Sequence, residues 1–176
     1  MYIPVILGTA REGRQSEKVA NYILTQVKEA GLETKLLDVR DFRTEATTTE
    51  GPVAEKYKAE IEKADGLIIV TPEFNHSYPG ELKMMLDMAY PQYSGKPVGL
   101  CGVSMGPFAG ARVVELIKST LIELQLVPIR EALYFPMVQD LFDEKGSITD
   151  EAYKERVGKF LDQLKQYAEV LLQLRK

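Results

Sequence analysis

The chain holds one cysteine, Cys101, and one histidine, His76, among its 176 residues. A lone cysteine excludes an intramolecular disulfide, and with a lone histidine it leaves no cluster of the kind zinc sites use. No metal ligands are expected. Long apolar runs are missing as well: no segment reaches the roughly 18 consecutive apolar residues that a bilayer-spanning helix needs. The N-terminus carries neither a basic flank nor a secretory cleavage pattern and enters a strand-like run at once. The expectation is a cytoplasmic protein with no membrane partner. Basic charge is not in excess either, since 22 Lys and Arg against 26 Asp and Glu leave a net charge of -4. That balance provides no electrostatic footprint for nucleic acid. With no repeat, low-complexity tract or linker, residues 1–176 read as one domain.

Several motifs that would decide the chemistry are absent too. Gly8 and Gly13 do not fit the dinucleotide fingerprint G-x-G-x-x-G, and Arg14 stands where a Walker loop needs lysine. Gly102-Val103-Ser104-Met105-Gly106 satisfies G-x-S-x-G literally. A nucleophile elbow, however, requires the order serine, acid, histidine, and His76 precedes Ser104. A hydrolase is not expected. Cys101, within the apolar run Pro97–Val103, reads as a buried thiol rather than a nucleophile.

What is present is a regular alternation of short apolar runs with helical stripes, the βαβ signal. Strand-like runs lie at Ile3–Leu7, Thr34–Val39, Leu67–Thr71, Pro97–Val103 and within Val127–Phe135. Between and after them, helical spacing joins Val19, Ala20, Ile23, Leu24 and Val27, then Val53, Tyr57 and Ile61, then Leu82, Met85, Leu86 and Ala89. It joins Val113, Val114, Ile117, Leu121 and Leu124, and finally Tyr153, Val157, Phe160, Leu161, Leu164, Ala168 and Leu171. Residues 40–51 read as a loop. The stretch from Pro79 to Tyr90 reads as one helix, with Met84, Met85, Met88, Tyr90 and Tyr93 assigned to a subunit contact. Five strands alternating with helices predict an α/β fold: a three-layer, flavodoxin-like doubly wound sheet of five parallel strands in the order 2-1-3-4-5.

In that order strands one and three flank the switch point, where ligands of open α/β sheets bind. The loops leaving them are unusual. The first, Gly8-Thr9-Ala10-Arg11-Glu12-Gly13-Arg14-Gln15-Ser16, opens a helix whose early amide hydrogens lack partners. With the hydroxyls of Thr9 and Ser16 and the charges of Arg11 and Arg14, it suits a phosphate monoester. An ordinary strand-to-helix turn with Ser16 as N-cap is the other reading. The second loop, Thr71 to Gly80, holds Glu73, Phe74, Asn75 and His76 between Pro72 and Pro79, and prolines restrict its backbone. Such a loop can hold amide groups toward a planar ligand such as a flavin. The third, Gly102 to Gly110, is glycine-rich and can approach a ring closely. A cofactor shared by these loops is expected.

The chain resembles the NADPH-dependent FMN reductase family. The resemblance rests on Gly8-Thr9-Ala10-Arg11 through Ser16, on Pro72-Glu73-Phe74-Asn75 with Ser77 and Pro79-Gly80-Glu81-Leu82-Lys83, and on Ser104-Met105-Gly106 through Gly110-Ala111-Arg112. It implies an FMN enzyme that takes hydride from NADPH or NADH and reduces a flavin, quinone, azo compound or similar small molecule. With donor and acceptor using the same flavin face, a ping-pong route is expected. It also implies a homodimer or homotetramer. On this resemblance Thr9, Arg11 and Ser16 meet the FMN phosphate with Arg14 and Gln15 nearby. Pro72, Glu73, Phe74 and Asn75 lie along the ring system, and Ser104 and Gly106 lie on its other edge. The flavin carries the hydride, so no catalytic side chain is implied. Phe108 is expected to narrow the opening. An FMN-binding electron carrier or regulator without efficient NAD(P)H turnover needs the same cradle and is the alternative.

Overall fold

The computed structural model describes residues 1–148 and 150–175. Its strands are β1 (Val5–Leu7), β2 (Leu36–Asp38), β3 (Leu67–Pro72), β4 (Pro97–Val103) and β5 (Val127–Phe135). Its helices are α1 (Ser16–Glu29), α2 (Pro52–Lys63), α3 (Gly80–Leu86), α4 (Ala111–Glu123) and α5 (Ala152–Leu174). All neighbouring strands pair in parallel, in the order β2-β1-β3-β4-β5. The apolar run of each strand is continuous because helices cover both faces of the sheet.

Alternation along the strands divides the core into two layers. Val5, Leu7, Ile68, Val70, Cys101 and Val103 face α1 and α5, where Ile23 and Phe160 meet them. Ile6, Ile69, Val98 and Leu100 face the other way, against Ile61 of α2, Leu82 of α3 and Ile117 of α4. Gly99 has no side chain because the Phe160 ring occupies its space: a Cβ there would lie 2.3 Å from the ring. Cys101 is fully buried, and burial pushes its thiol pKa well up, which keeps it protonated and unreactive.

Three elements differ from their sequence expectation. Strands β1 and β2 are shorter, because Pro4 has no amide hydrogen to give the ladder and Val39 already belongs to a 3-10 turn, Val39–Phe42. That turn takes up the start of the expected loop 40–51 and buries Phe42 edge-on against Tyr57, with ring centroids 5.3 Å apart. The helix expected from Pro79 to Tyr90 ends at Leu86. Met85, Met88 and Tyr93 are buried within the protomer, so they cannot form the subunit contact assigned to them. Tyr93 is held by a 2.8 Å bond to the Tyr57 hydroxyl, deep in the layer beneath α2.

Candidate functional site

Beyond the carboxyl ends of β1, β3 and β4 lies a cleft of about 480 Å³. The first loop lines it with Thr9, Arg11, Arg14, Gln15 and Ser16, the second with Pro72, Glu73 and Phe74, and the third with Ser104 and Gly106. Asn75 does not line it. It is exposed and has φ 50°, followed by His76 at φ 67°. Phe74 and Ser77 exchange backbone hydrogen bonds of 2.8 and 2.9 Å across this pair. Positive φ at both central residues is the type I′ geometry, which tolerates asparagine well. The tight turn thus points its tip to solvent and sets Phe74 against the cleft.

The first loop is shaped from outside by charged groups. Glu81, in the first turn of α3, accepts from the Ala10 amide at 2.9 Å and from the Thr9 hydroxyl at 3.0 Å. Burial pushes the Glu81 carboxyl up, but these donors outweigh it and hold it below the usual range. Arg14 is 7% exposed and turns its guanidinium inward. Its Nη1 donates to the Thr9 carbonyl at 2.5 Å and to Asp38 Oδ1 at 2.7 Å, its Nη2 to Asp38 Oδ2, and its Nε to Glu17 at 3.3 Å. Asp38 comes to this position because β2 pairs with β1 in a register that sets Leu7 opposite Asp38. From the 3-10 turn, Arg40 clasps the same loop, donating to the carbonyls of Ala10 at 3.2 Å and Arg11 at 2.8 Å.

Arg14 is therefore engaged in a bidentate ion pair, whereas Arg11 keeps an exposed guanidinium, 5.6 Å from the Phe74 ring centroid. Ser16 is the first residue of α1, and Gln15 occupies the N-cap without capping through its side chain. The Ser16 N-cap of the other reading is not formed. Instead the Ser16 hydroxyl is buried and has no hydrogen-bond partner among the described residues.

In the third loop the Ser104 hydroxyl accepts from the Gly106 amide at 2.9 Å, and the loop is tied to the segment after β5 by a Val138 amide bond to the Ser104 carbonyl at 3.2 Å. Among the described residues no hydrogen bond joins Ser104 to His76. Gly110 has φ 74°, and a Cβ there would meet the Val103 nitrogen at 2.7 Å, so only glycine lets the chain turn back over the end of β4. Phe108 does not line the cleft. It is 65% exposed and its ring lies 5.1 Å from the Arg112 guanidinium carbon, whereas Met105 forms part of the wall.

Supporting residues to which the sequence reading gave no role are Asp38, Arg40 and Arg112, with Met105 and Val138 among the wall residues. Asp38 carried no local signal, since strand pairing alone brings it to Arg14. Val138, after β5, carried none. Among the described residues no group of three or more His, Cys, Asp or Glu is placed to hold a metal ion. No helix there is long and apolar enough to cross a membrane.

A five-stranded parallel sheet in this order, with loop-built cleft at its switch point, defines a flavodoxin-like protein. The family model of the NADPH-dependent FMN reductases matches residues 1–140. The chain belongs to that family. It is 33% identical over 118 residues to an NAD(P)H-dependent FMN reductase of Pseudomonas aeruginosa, a match spanning 64% of each protein. It is 29% identical over 159 residues to a quinone reductase of Pseudomonas putida, covering 84% of each. Among solved structures it is similar to FerB, a flavoenzyme NAD(P)H:(acceptor) oxidoreductase from Paracoccus denitrificans. There the TM-score is 0.81 and the identity 26%, covering 96% of this chain and 97% of FerB.

Proposed function

We propose that the protein is an FMN-dependent NAD(P)H oxidoreductase that passes electrons to a small acceptor, a flavin, quinone or azo compound. The observation that carries this reading is the buried, unpartnered Ser16 hydroxyl at the start of α1, in the same cleft as the proline-framed second loop. A buried donor without a partner is costly unless a ligand completes it. A phosphate oxygen meets that need, and the free amides of the first turn of α1 add donors beside it. The residues present fit FMN.

In this reading Thr9, Arg11 and Ser16 hold the phosphate, with Gln15 beside them, and Arg14 holds the loop that presents them. Pro72, Glu73 and Phe74 flank the ring system on one edge, and Ser104 and Gly106 on the other, while Asn75 shapes the turn that sets Phe74 there. When bound, FMN supplies the capacity to accept a hydride from NADPH or NADH and to release electrons to an acceptor. The side chains bind, orient and limit access of water, and none is needed as a general acid or base. Donor and acceptor use the same open side in turn, which gives ping-pong kinetics. Support comes from the names of the relatives, which include an FMN reductase and a quinone reductase.

The proposal includes a homodimer or homotetramer. With Met85 and Met88 buried, half-buried Met84 and exposed Tyr90 and Ile122 are apolar side chains available near that face.

Ligand titration tests the phosphate cleft. Arg11→Ala is expected to lose about 1.5–3 kcal/mol of FMN affinity, the worth of a charge-assisted contact, with riboflavin affinity little changed. Equal losses for both ligands would remove the phosphate assignment. Double-reciprocal plots of rate against NADPH at several quinone concentrations are expected to be parallel, and lines that intersect would contradict the shared open side.

A further inference from the structure

The cleft wall contains one tightly held carboxylate whose partner stands outside it. Glu73 follows β3 in the second loop, and its amide donates to the Val103 carbonyl at 3.1 Å. Its side chain is only 6% exposed. Oε1 accepts from Arg112 Nε at 2.5 Å and also from Arg112 Nη2, while Oε2 is buried with no partner among the described residues. Arg112 sits in the first turn of α4, its side chain 46% exposed, with the Phe108 ring against its guanidinium. The remaining charged residues of the wall are Arg11, Glu12 and Arg14, the last already neutralised by Asp38.

We propose that the Glu73–Arg112 pair sets the electron affinity of the flavin bound in this cleft, with Arg112 acting as a positioning residue that neutralises Glu73. This rests on the FMN reading above. Taking up two electrons and one proton leaves the flavin ring with one more negative charge than before. A buried carboxylate in the wall opposes that added charge, because fields in a water-poor site are weakly screened. Arg112 cancels the opposition from the far side of the carboxylate, and the Phe108 ring lies against its guanidinium. Arrangements of charge near a flavin are a means by which proteins tune its electronics.

The pairing makes an opposite-sign prediction for its two members. In FMN-loaded protein, Arg112→Gln leaves Glu73 uncompensated and lowers the midpoint potential. Glu73→Gln leaves Arg112 in excess and raises it. Each shift is expected to reach about tenfold in the equilibrium between oxidised and reduced flavin, which is about 30 mV for a two-electron couple. The double variant returns toward the parent value, and Arg112→Lys, which keeps the charge, stays nearer the parent than Arg112→Gln does. Potentials are read by anaerobic dye equilibration, with circular dichroism confirming that each variant is folded.

Shifts of the same sign in both single variants, or none in either, overturn the proposal, since damage to the loop alone would move both alike. If Arg112→Gln does not fold, Glu73→Gln and Arg112→Lys carry the test: no rise in the first, or a fall in the second as large as tenfold, overturns it. A protein that binds no FMN in the preceding titration overturns the FMN reading itself, and that outcome is distinct from a loaded protein whose potential does not move.

Discussion

Two arginines three positions apart in the first loop have different tasks. Arg14 is spent on Asp38, Glu17 and the Thr9 carbonyl, so it builds the loop. Arg11 keeps its guanidinium exposed, so in the proposed function it is the one assigned to the phosphate. Removing Asp38 would leave Arg14 buried with its bidentate partner gone. Asp38→Asn is expected to cost about 3 kcal/mol in urea unfolding, the low end for a broken buried pair because Asp38 is partly exposed. A loss below a few tenths of that would show the pair to be dispensable. Burial pushes the Asp38 carboxyl up, but hydrogen bonds from Arg14 and from the Arg40 amide outweigh it and hold it below the ordinary carboxylate value. A depressed carboxylate stabilises the fold above its unfolded pKa, about 4, and that contribution fades as pH falls through the lower folded value. Unfolding followed from pH 6 to pH 2 should therefore show a steeper acid loss in the parent than in Asp38→Asn. Ser16→Ala makes the converse case. It removes a buried hydroxyl with no partner, so stability in the free protein is expected to hold or rise, while FMN affinity falls about tenfold or more. Unchanged FMN affinity would take Ser16 out of the site.

Elements were legible in the sequence where composition and geometry agree. Strands β4 and β5 end where their apolar runs end, and Pro52 opens α2 as its fixed φ allows. The third helix was overextended because Leu82, Met85, Leu86 and Ala89 keep helical spacing, yet the chain leaves the helix at Asp87. Met88 and Ala89 remain buried outside any helix, and burial alone had mimicked the period. The three loops of the site were readable as loops, since glycine and proline mark them. Their supports were not: Asp38 meets Arg14 across 24 residues through the pairing of two strands, which no local pattern records. At this scale the turn over β4 is the most demanding. Gly110→Ala combines a left-handed φ with a 2.7 Å approach to the Val103 backbone. The loss expected in thermal or urea unfolding is about 1–3 kcal/mol, the usual cost of overpacking, with FMN binding weakened as the third loop shifts. Full stability and full binding would mean the turn relaxes freely.

For the whole molecule, the sheet order brings loops after β1, β3 and β4 to one cleft, with helices covering both faces of the sheet. The family relationship covers residues 1–140, and the same residues supply every wall of the cleft. The long α5 closes the layer over β4 and β5 without reaching the wall, so its part is to stabilise the scaffold. Light scattering on the FMN-loaded protein is expected to report a dimer or tetramer, and a monomer at micromolar concentration would contradict that part of the proposal. The central claim is that this cleft turns over reduced nicotinamide through FMN. Its most direct test is anaerobic stopped-flow mixing of FMN-loaded protein with saturating NADPH, and separately NADH, followed by a quinone. The account predicts that at least one nicotinamide bleaches the flavin absorption and that the quinone restores it. Flavin that stays oxidised with both nicotinamides would contradict the account and leave an FMN-binding carrier in its place.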